Sequence, residues 1–210
     1  MDELEQARAY SEADFNESHD RFVAAIASRF GALSGVVLDL GCGPADPTVR
    51  LAMANPVVTI VGVDAGPVML GLARQRIQRA GLNSRIRLEQ RRLPDPSLAA
   101  RQFDVVVSNS LLHHLPDPMV LWRTVADCGR RGGIVAIMDL LRPADNEAVQ
   151  RLVAGHVEEA PPVLRADFRN SLRAAYRLDE VEYQLGNAGL RGLTVEQIGD
   201  YHLLVSGALQ

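Results

Sequence analysis

The chain contains no lysine; all 22 of its strongly basic side chains are arginine. A phosphate-binding loop that ends in lysine is therefore excluded. Cysteine is nearly as scarce: Cys42 and Cys128 are the only two. That is too few for a disulfide framework or a cysteine-based metal centre, and no metal site is expected. No apolar run approaches the ~20 residues needed to cross a bilayer. The N-terminus, MDELEQARAYSEADF, is acidic and lacks the apolar stretch of a signal peptide. These absences set the expectation of a cytoplasmic protein without a membrane partner. A formal net charge of −4 argues against nonspecific binding to nucleic acid.

What is present fits one domain. A chain of 210 residues that is 47% hydrophobic has enough apolar surface for a substantial core. One region departs from the acidic balance: Arg74, Arg76, Arg79, Arg85, Arg87, Arg91 and Arg92 crowd together. They read as the solvated face of a helix and its following strand rather than as a basic docking patch.

The most informative segment is VVLDLGCGPADP, Val36 to Pro47. A short apolar run predicts a strand buried on both faces, and Gly41 and Gly43 predict a tight turn that lets a ligand approach the backbone. Asp46-Pro47 reads as an N-cap followed by the favoured first helical residue. A second apolar run, TIVGVD, ends in Asp64, 21 residues after Gly43. A carboxylate at that spacing sits at the end of the neighbouring strand, where it accepts the hydroxyls of a ribose. Asp46 stands where a dinucleotide fold has its third glycine, and an acid there would face the pyrophosphate. The pocket therefore suits a nucleoside without phosphates.

Strands are expected at about 36–40, 57–63, 85–90, 105–108 and 134–140, alternating with helices at 18–31, 47–55, 67–80 and 118–128. This alternation implies a parallel sheet with right-handed crossovers. It stops between 144 and 176, where helical stretches dominate. A helix at 178–188 follows, and LTVEQI and HLLVSGA form two further strands around a short Gly-Asp turn.

LDLGCGP, VGVDAGPVMLGLAR, FDVVVSNSLLHHLPDP and GGIVAIMDLLRP, in this order and spacing, resemble the class I S-adenosylmethionine-dependent methyltransferases. The resemblance runs from about residue 34 to the end. It implies an α/β, Rossmann-like, doubly wound and mostly parallel seven-stranded sheet with a C-terminal antiparallel hairpin. It places 1–210 in one domain, with 1–32 as an N-terminal helical cap and 144–176 as a helical insertion suited to covering substrate. The implied cofactor is S-adenosyl-L-methionine. Its expected contacts are Asp39, Gly41, Cys42, Gly43, Asp64, Ala65, Arg92, Leu93 and Asn109, with Asp39 toward the ammonium and Asn109 toward the methionine part. Asp39 has an equally good structural role in tying down the glycine turn.

The chain departs from the family pattern in two places. Ala45 stands where a third glycine is usual, and alanine loses the freedom to adopt positive φ. After strand three, Glu89-Gln90-Arg91-Arg92-Leu93-Pro94 puts no acid clearly beside the adenine.

The chemistry implied is in-line methyl transfer, in which the protein mainly aligns donor and acceptor. His113 and His114, just after strand four, are the base candidates, with His113 favoured; an imidazole of pKa about 6.5 accepts a proton at neutral pH. The alternative is that the pair only satisfies loop backbone groups. Asn-Pro-Pro-Tyr, which marks some methyltransferases of nucleobases and protein amides, is absent, so a small-molecule acceptor is expected. Tyr10 and Phe15, and His156, Glu158, Glu159, Arg165, Asp167, Phe168, Arg169 and Tyr176, are candidate covers for the site. The rival readings are a non-catalytic S-adenosylmethionine-binding protein acting through partners, and a fold of this kind used for NAD. The oligomeric state is not encoded in any of these features.

Overall fold

The computed structural model describes residues 16–100 and 102–210. Seven strands form one sheet in the order β3-β2-β1-β4-β5-β7-β6. They are β1 (Gly35–Leu40), β2 (Val58–Asp64), β3 (Ile86–Gln90), β4 (Phe103–Asn109), β5 (Gly129–Leu140), β6 (Leu193–Ile198) and β7 (His202–Ala208). The first five are parallel, and β7 runs antiparallel between β5 and β6. The expected hairpin is therefore present. Its second strand inserts next to β5 and leaves β6 on the edge.

Helix α1 (Asn16–Phe30) precedes the sheet. Helices α2 (Asp46–Ala54), α3 (Pro67–Arg79), α4 (Pro96–Ala99) and α5 (Met119–Cys128) connect the parallel strands. Helices α6 (Asn146–Val157) and α7 (Pro162–Ala174) occupy the expected insertion, and α8 (Leu178–Asn187) leads into β6. The four-residue α4 has no periodicity that a sequence pattern would reveal; Asp95 caps it by accepting from the Ser97 N–H.

The period of two along each strand divides the core between the faces of the sheet. Val37, Val105, Val107, Ala136, Met138 and Leu204 face α1–α3, together with Phe22, Ile26 and Leu51. Leu38, Leu40, Val106, Val135, Ile137, Leu203 and Val205 face the other side, where Trp122 and Leu185 pack. Trp122 donates its indole N–H to Gln184 at 2.8 Å, so its polar atom is satisfied inside the core. A smaller cluster of Leu140, Val149, Val153, Leu172 and Ala175 fixes the α6–α7 hairpin to the end of β5. Sheet order reverses between β1 and β4, which places the ligand crevice at their carboxyl ends.

Candidate active site

The turn after β1 is built for close approach. Gly41 has φ +71°, and a Cβ there would stand 2.8 Å from Leu111 on the loop after β4. Gly43 has φ +52° and open space where its Cβ would be. The N–H groups of Gly41 and Cys42 both donate to the Val63 carbonyl, at 2.9 and 3.0 Å. The Cys42 side chain is enclosed by protein. It is buried against β2, where a Cβ on Gly62 would come within 3.1 Å of its Sγ. Its part in the turn is thus played by its backbone, and its thiol packs the core.

Helix α2 begins differently from expectation. Asp46 is its first residue, and the capping position falls on Ala45, which has φ +63° and no side-chain cap. Ala45 therefore adopts the left-handed conformation it was expected to avoid. Its methyl is fully buried in the core, which offsets the backbone cost. Asp46 instead accepts hydrogen bonds from His19 Nδ1 and Arg50 Nε, each at 2.6 Å. The other non-glycine residue with positive φ among those described, Ser110, lies in the loop after β4. Both strained residues flank the crevice at the carboxyl ends of β1 and β4.

Asp64 ends β2. Its Oδ2 accepts from the Gly43 N–H at 2.9 Å and its Oδ1 from the Gly66 N–H at 2.7 Å. Each carboxylate oxygen can accept a further bond, so capacity remains for ribose hydroxyls. Ala65 is exposed beside it, its carbonyl held by Gln90 Nε2 at 3.2 Å. Asp39 is buried and accepts from the Thr48 hydroxyl at 2.6 Å, so it does tie the turn to α2. Burial raises its pKa, the Thr48 bond opposes this and the Asp64 charge adds to it, for a result of about 6. A nearby cation would be welcome to such a group. Asn109 at the end of β4 has a buried Oδ1 with no partner among the described residues. An open glycine turn, a carboxylate with spare capacity and an unpaired amide oxygen together fit a nucleoside donor that carries an amino-acid tail.

The adenine side is less committed. Glu89 is a buried acid at the end of β3, but Arg91 and Arg87 hold it at 3.0 and 3.4 Å. The Arg92 side chain is exposed, and Leu93 packs partly against the core. Most of the arginine cluster has structural work: Arg76 donates to the Pro44 carbonyl at 2.9 Å, and Arg85 Nη1 to the carbonyls of Ala52, Asn55 and Pro56.

Beside this crevice opens a cavity of about 850 Å³. Its walls come from α1, the loop after β4, the end of β5, the α6–α7 hairpin and the turn before β7. His113 lines it, and His113 Nδ1 lies 2.6 Å from Asp139 Oδ1. Asp139, at the end of β5, also accepts from the N–H groups of Leu112 at 2.7 Å and Leu140 at 2.8 Å. A carboxylate only accepts, so Nδ1 carries the hydrogen and Nε2 is left as the basic nitrogen. The ring of His114 lies tilted against His113 at 4.0 Å. It lines the cavity and keeps an exposed surface. Desolvation by the surrounding protein, and secondarily His113, push its pKa down to about 4.

Of the expected covers, His156, Glu158, Glu159, Asp167 and Phe168 line the cavity, whereas Arg165, Arg169 and Tyr176 do not. Tyr10 and Phe15 lie outside the described residues. Sequence reasoning assigned no role to Asp139, Ser18, His19, Tyr201 or His202, although Asp139 ends an apolar strand just as Asp64 does. Among the described residues no group of histidine, cysteine and acidic side chains is arranged to hold a metal, and no helix is long and apolar enough to cross a membrane.

A family model described as a methyltransferase domain matches residues 38–135. The 27-O-demethylrifamycin SV methyltransferase of Amycolatopsis mediterranei is 30% identical over 79% of this chain and 57% of its own length. The ubiquinone biosynthesis O-methyltransferase of Bordetella pertussis is 37% identical over 53% of this chain and 46% of its own. The chain thus spans about half the length of these curated relatives. The plantazolicin methyltransferase BpumL, solved with SAH and a triazolic desmethylPZN analog, shares the fold at a TM-score of 0.73 and 14% identity, covering 99% of this chain and 90% of that one. A SAM-dependent methyltransferase from Aquifex aeolicus does so at 0.66 and 18%, covering 98% of each. Motifs, sheet order, crevice and relatives agree: residues 38–135 match a methyltransferase domain, and the chain is similar to class I S-adenosylmethionine-dependent methyltransferases.

Proposed function

We propose that this protein methylates a hydroxyl oxygen of a small-molecule acceptor, with S-adenosylmethionine as donor and His113 as general base. The observation that carries this reading is the His113–Asp139 pair at 2.6 Å on the wall of the cavity. The printed names of two relatives, both O-methyltransferases or methyltransferases at a named oxygen, support an oxygen acceptor. When bound, the donor supplies a methyl group on a positively charged sulfur, which leaves as a neutral thioether. The chain's own residues do the rest. Gly41, Gly43 and Asp64 hold the nucleoside, Asp39 and Asn109 the amino-acid tail. His113 takes the hydroxyl proton at Nε2 as the oxygen–methyl bond forms. Asp139 fixes the ring's tautomer and stabilises the imidazolium that results.

The test is transfer of a labelled methyl group from the donor to a panel of alcohols, phenols, amines and thiols. Label is expected in hydroxyl compounds. Label confined to nitrogen or sulfur acceptors would sink the assignment of oxygen. Tight donor binding with no transfer to any class would favour the non-catalytic rival.

A further inference from the structure

The chain has 5 histidines, and every one lines the cavity. Four have engagements that explain them. His19 meets Asp46, His113 meets Asp139, the ring of His114 lies tilted against His113, and that of His156 lies tilted against Tyr201 at 4.5 Å. His202 differs. It is 3% exposed, and its Nε2 lies 3.2 Å from the Ser18 hydroxyl. Its Nδ1 has no hydrogen-bond partner among the described residues. A buried polar atom left unpaired carries a desolvation cost, and such atoms are rare without a ligand or functional reason.

Its position explains what would pair with it. Strand register sets His202 opposite Leu140, the residue after Asp139, so both histidine sites border the same cavity. Burial first, and Arg21 second, lower the His202 pKa to about 4, so the ring is neutral at pH 7. If Nε2 accepts from Ser18, Nδ1 presents a hydrogen; if Nε2 donates, Nδ1 accepts. A hydroxyl group satisfies either case. The ring of Tyr201 lies tilted against His202 at 4.3 Å, and Phe168 meets Tyr201 edge-on at 5.4 Å. These rings, tilted and edge-on to one another, give the cavity an aromatic corner against which an aromatic ligand can pack by face or edge.

Building on the methyl-transfer reading, we infer that His202 determines acceptor specificity: its Nδ1 takes a second hydrogen-bonding group on a planar aromatic acceptor whose reacting hydroxyl lies at His113. The acceptor class is then an aromatic ring with at least two polar substituents.

Calorimetry on protein saturated with S-adenosylhomocysteine tests this. The probes are 2-naphthol and 2,3-, 2,6- and 2,7-dihydroxynaphthalene, which place the second hydroxyl at three separations. At least one diol is expected to bind about tenfold more tightly than 2-naphthol, the worth of one hydrogen bond to a buried group. His202→Phe should reduce that diol to the 2-naphthol value while S-adenosylhomocysteine affinity stays the same, and His202→Gln should restore part of the preference. If His202→Phe fails to fold, nitrogen-15 NMR of the wild-type imidazoles decides: the His202 Nδ1 resonance should move with the diol and not with 2-naphthol. No diol preference, a preference that survives His202→Phe, or an Nδ1 resonance indifferent to the diol overturns the proposal. So does failure of every ring to bind while S-adenosylhomocysteine binds. If S-adenosylhomocysteine itself does not bind, the methyl-transfer reading fails first.

Discussion

Asp46 accepts a hydrogen bond from His19 at 2.6 Å, which fastens α1 to the first residue of the helix that follows the glycine turn. Arg50 meets the same carboxylate and reaches back to Asp20 on α1. Burial alone would raise the Asp46 pKa. The hydrogen bonds and charges of His19 and Arg50 outweigh it and hold the carboxyl well below the usual range. A depressed carboxyl stabilises the fold above its unfolded pKa of about 4, and that contribution is lost as pH falls below it. Asp46→Asn is expected to cost about 1–2 kcal/mol at pH 7 and progressively less below pH 4, vanishing only as pH falls through the lower folded pKa, read from urea denaturation. Equal unfolding midpoints at pH 7 would refute the latch.

Asp39 has the opposite sign. Its folded pKa, raised to about 6 mainly by burial, means that its favourable contribution is present below pH about 4 and is lost as pH rises through 6. Asp39→Asn should therefore raise the melting temperature of the ligand-free protein more at pH 7.5 than at pH 4.5. The same change should weaken S-adenosylhomocysteine by about tenfold, because the ligand's ammonium loses its charge partner. A variant that gains no stability at pH 7.5 would refute the first expectation.

Asp64 holds Gly43 and Gly66 by its two oxygens, so its removal loosens the turn as well as the ribose. Asp64→Ala is expected to weaken S-adenosylhomocysteine by about 10- to 100-fold in calorimetry. Unchanged affinity in a folded variant would remove the ribose assignment.

Asp139→Asn preserves shape but removes the charge that orients His113. Both Asp139→Asn and His113→Ala should slow single-turnover methyl transfer by roughly 10²-fold or more, and the double variant by little more than either. Donor affinity should be nearly unchanged. His114→Phe should keep most of the rate. Additive losses in the double variant would mean that the two residues do not act as a unit.

Ala45 sets a backbone cost against a buried methyl. Removing Cβ relieves about 1–2 kcal/mol of left-handed strain. Against this stand about 0.8 kcal/mol of lost burial and about 0.4–1 kcal/mol from the freer unfolded chain. Ala45→Gly is therefore expected to change stability by less than about 1 kcal/mol, measured by chemical denaturation. A loss of several kcal/mol would show that the methyl carries more of the packing than its area implies.

Some of this was legible in the sequence and some was not, for a physical reason. Strands buried on both faces announce themselves as apolar runs, and glycines with an acid at a fixed distance announce a nucleoside turn. These signals are local. Asp139 carries the same signal as Asp64, an acid ending an apolar strand, but its partner His113 lies 26 residues away, beyond any local pattern. His202 and Ser18 offered none, since their contact joins residues 184 positions apart. The insertion of β7 between β5 and β6 is likewise a matter of pairing across the sheet, which no window of sequence contains. The misplacement of the cap by one residue at Asp46 has a local cause: Ala45 tolerates positive φ only because its methyl is buried.

The position of β7 has a consequence for how the protein comes into being. The crevice after β1 is drawn from one contiguous stretch, β1 to β4, whereas the neighbouring cavity takes Ser18 and His19 from before it and Tyr201 and His202 from far beyond it. A chain emerging from the ribosome therefore possesses every residue of that crevice while the cavity beside it still lacks a wall.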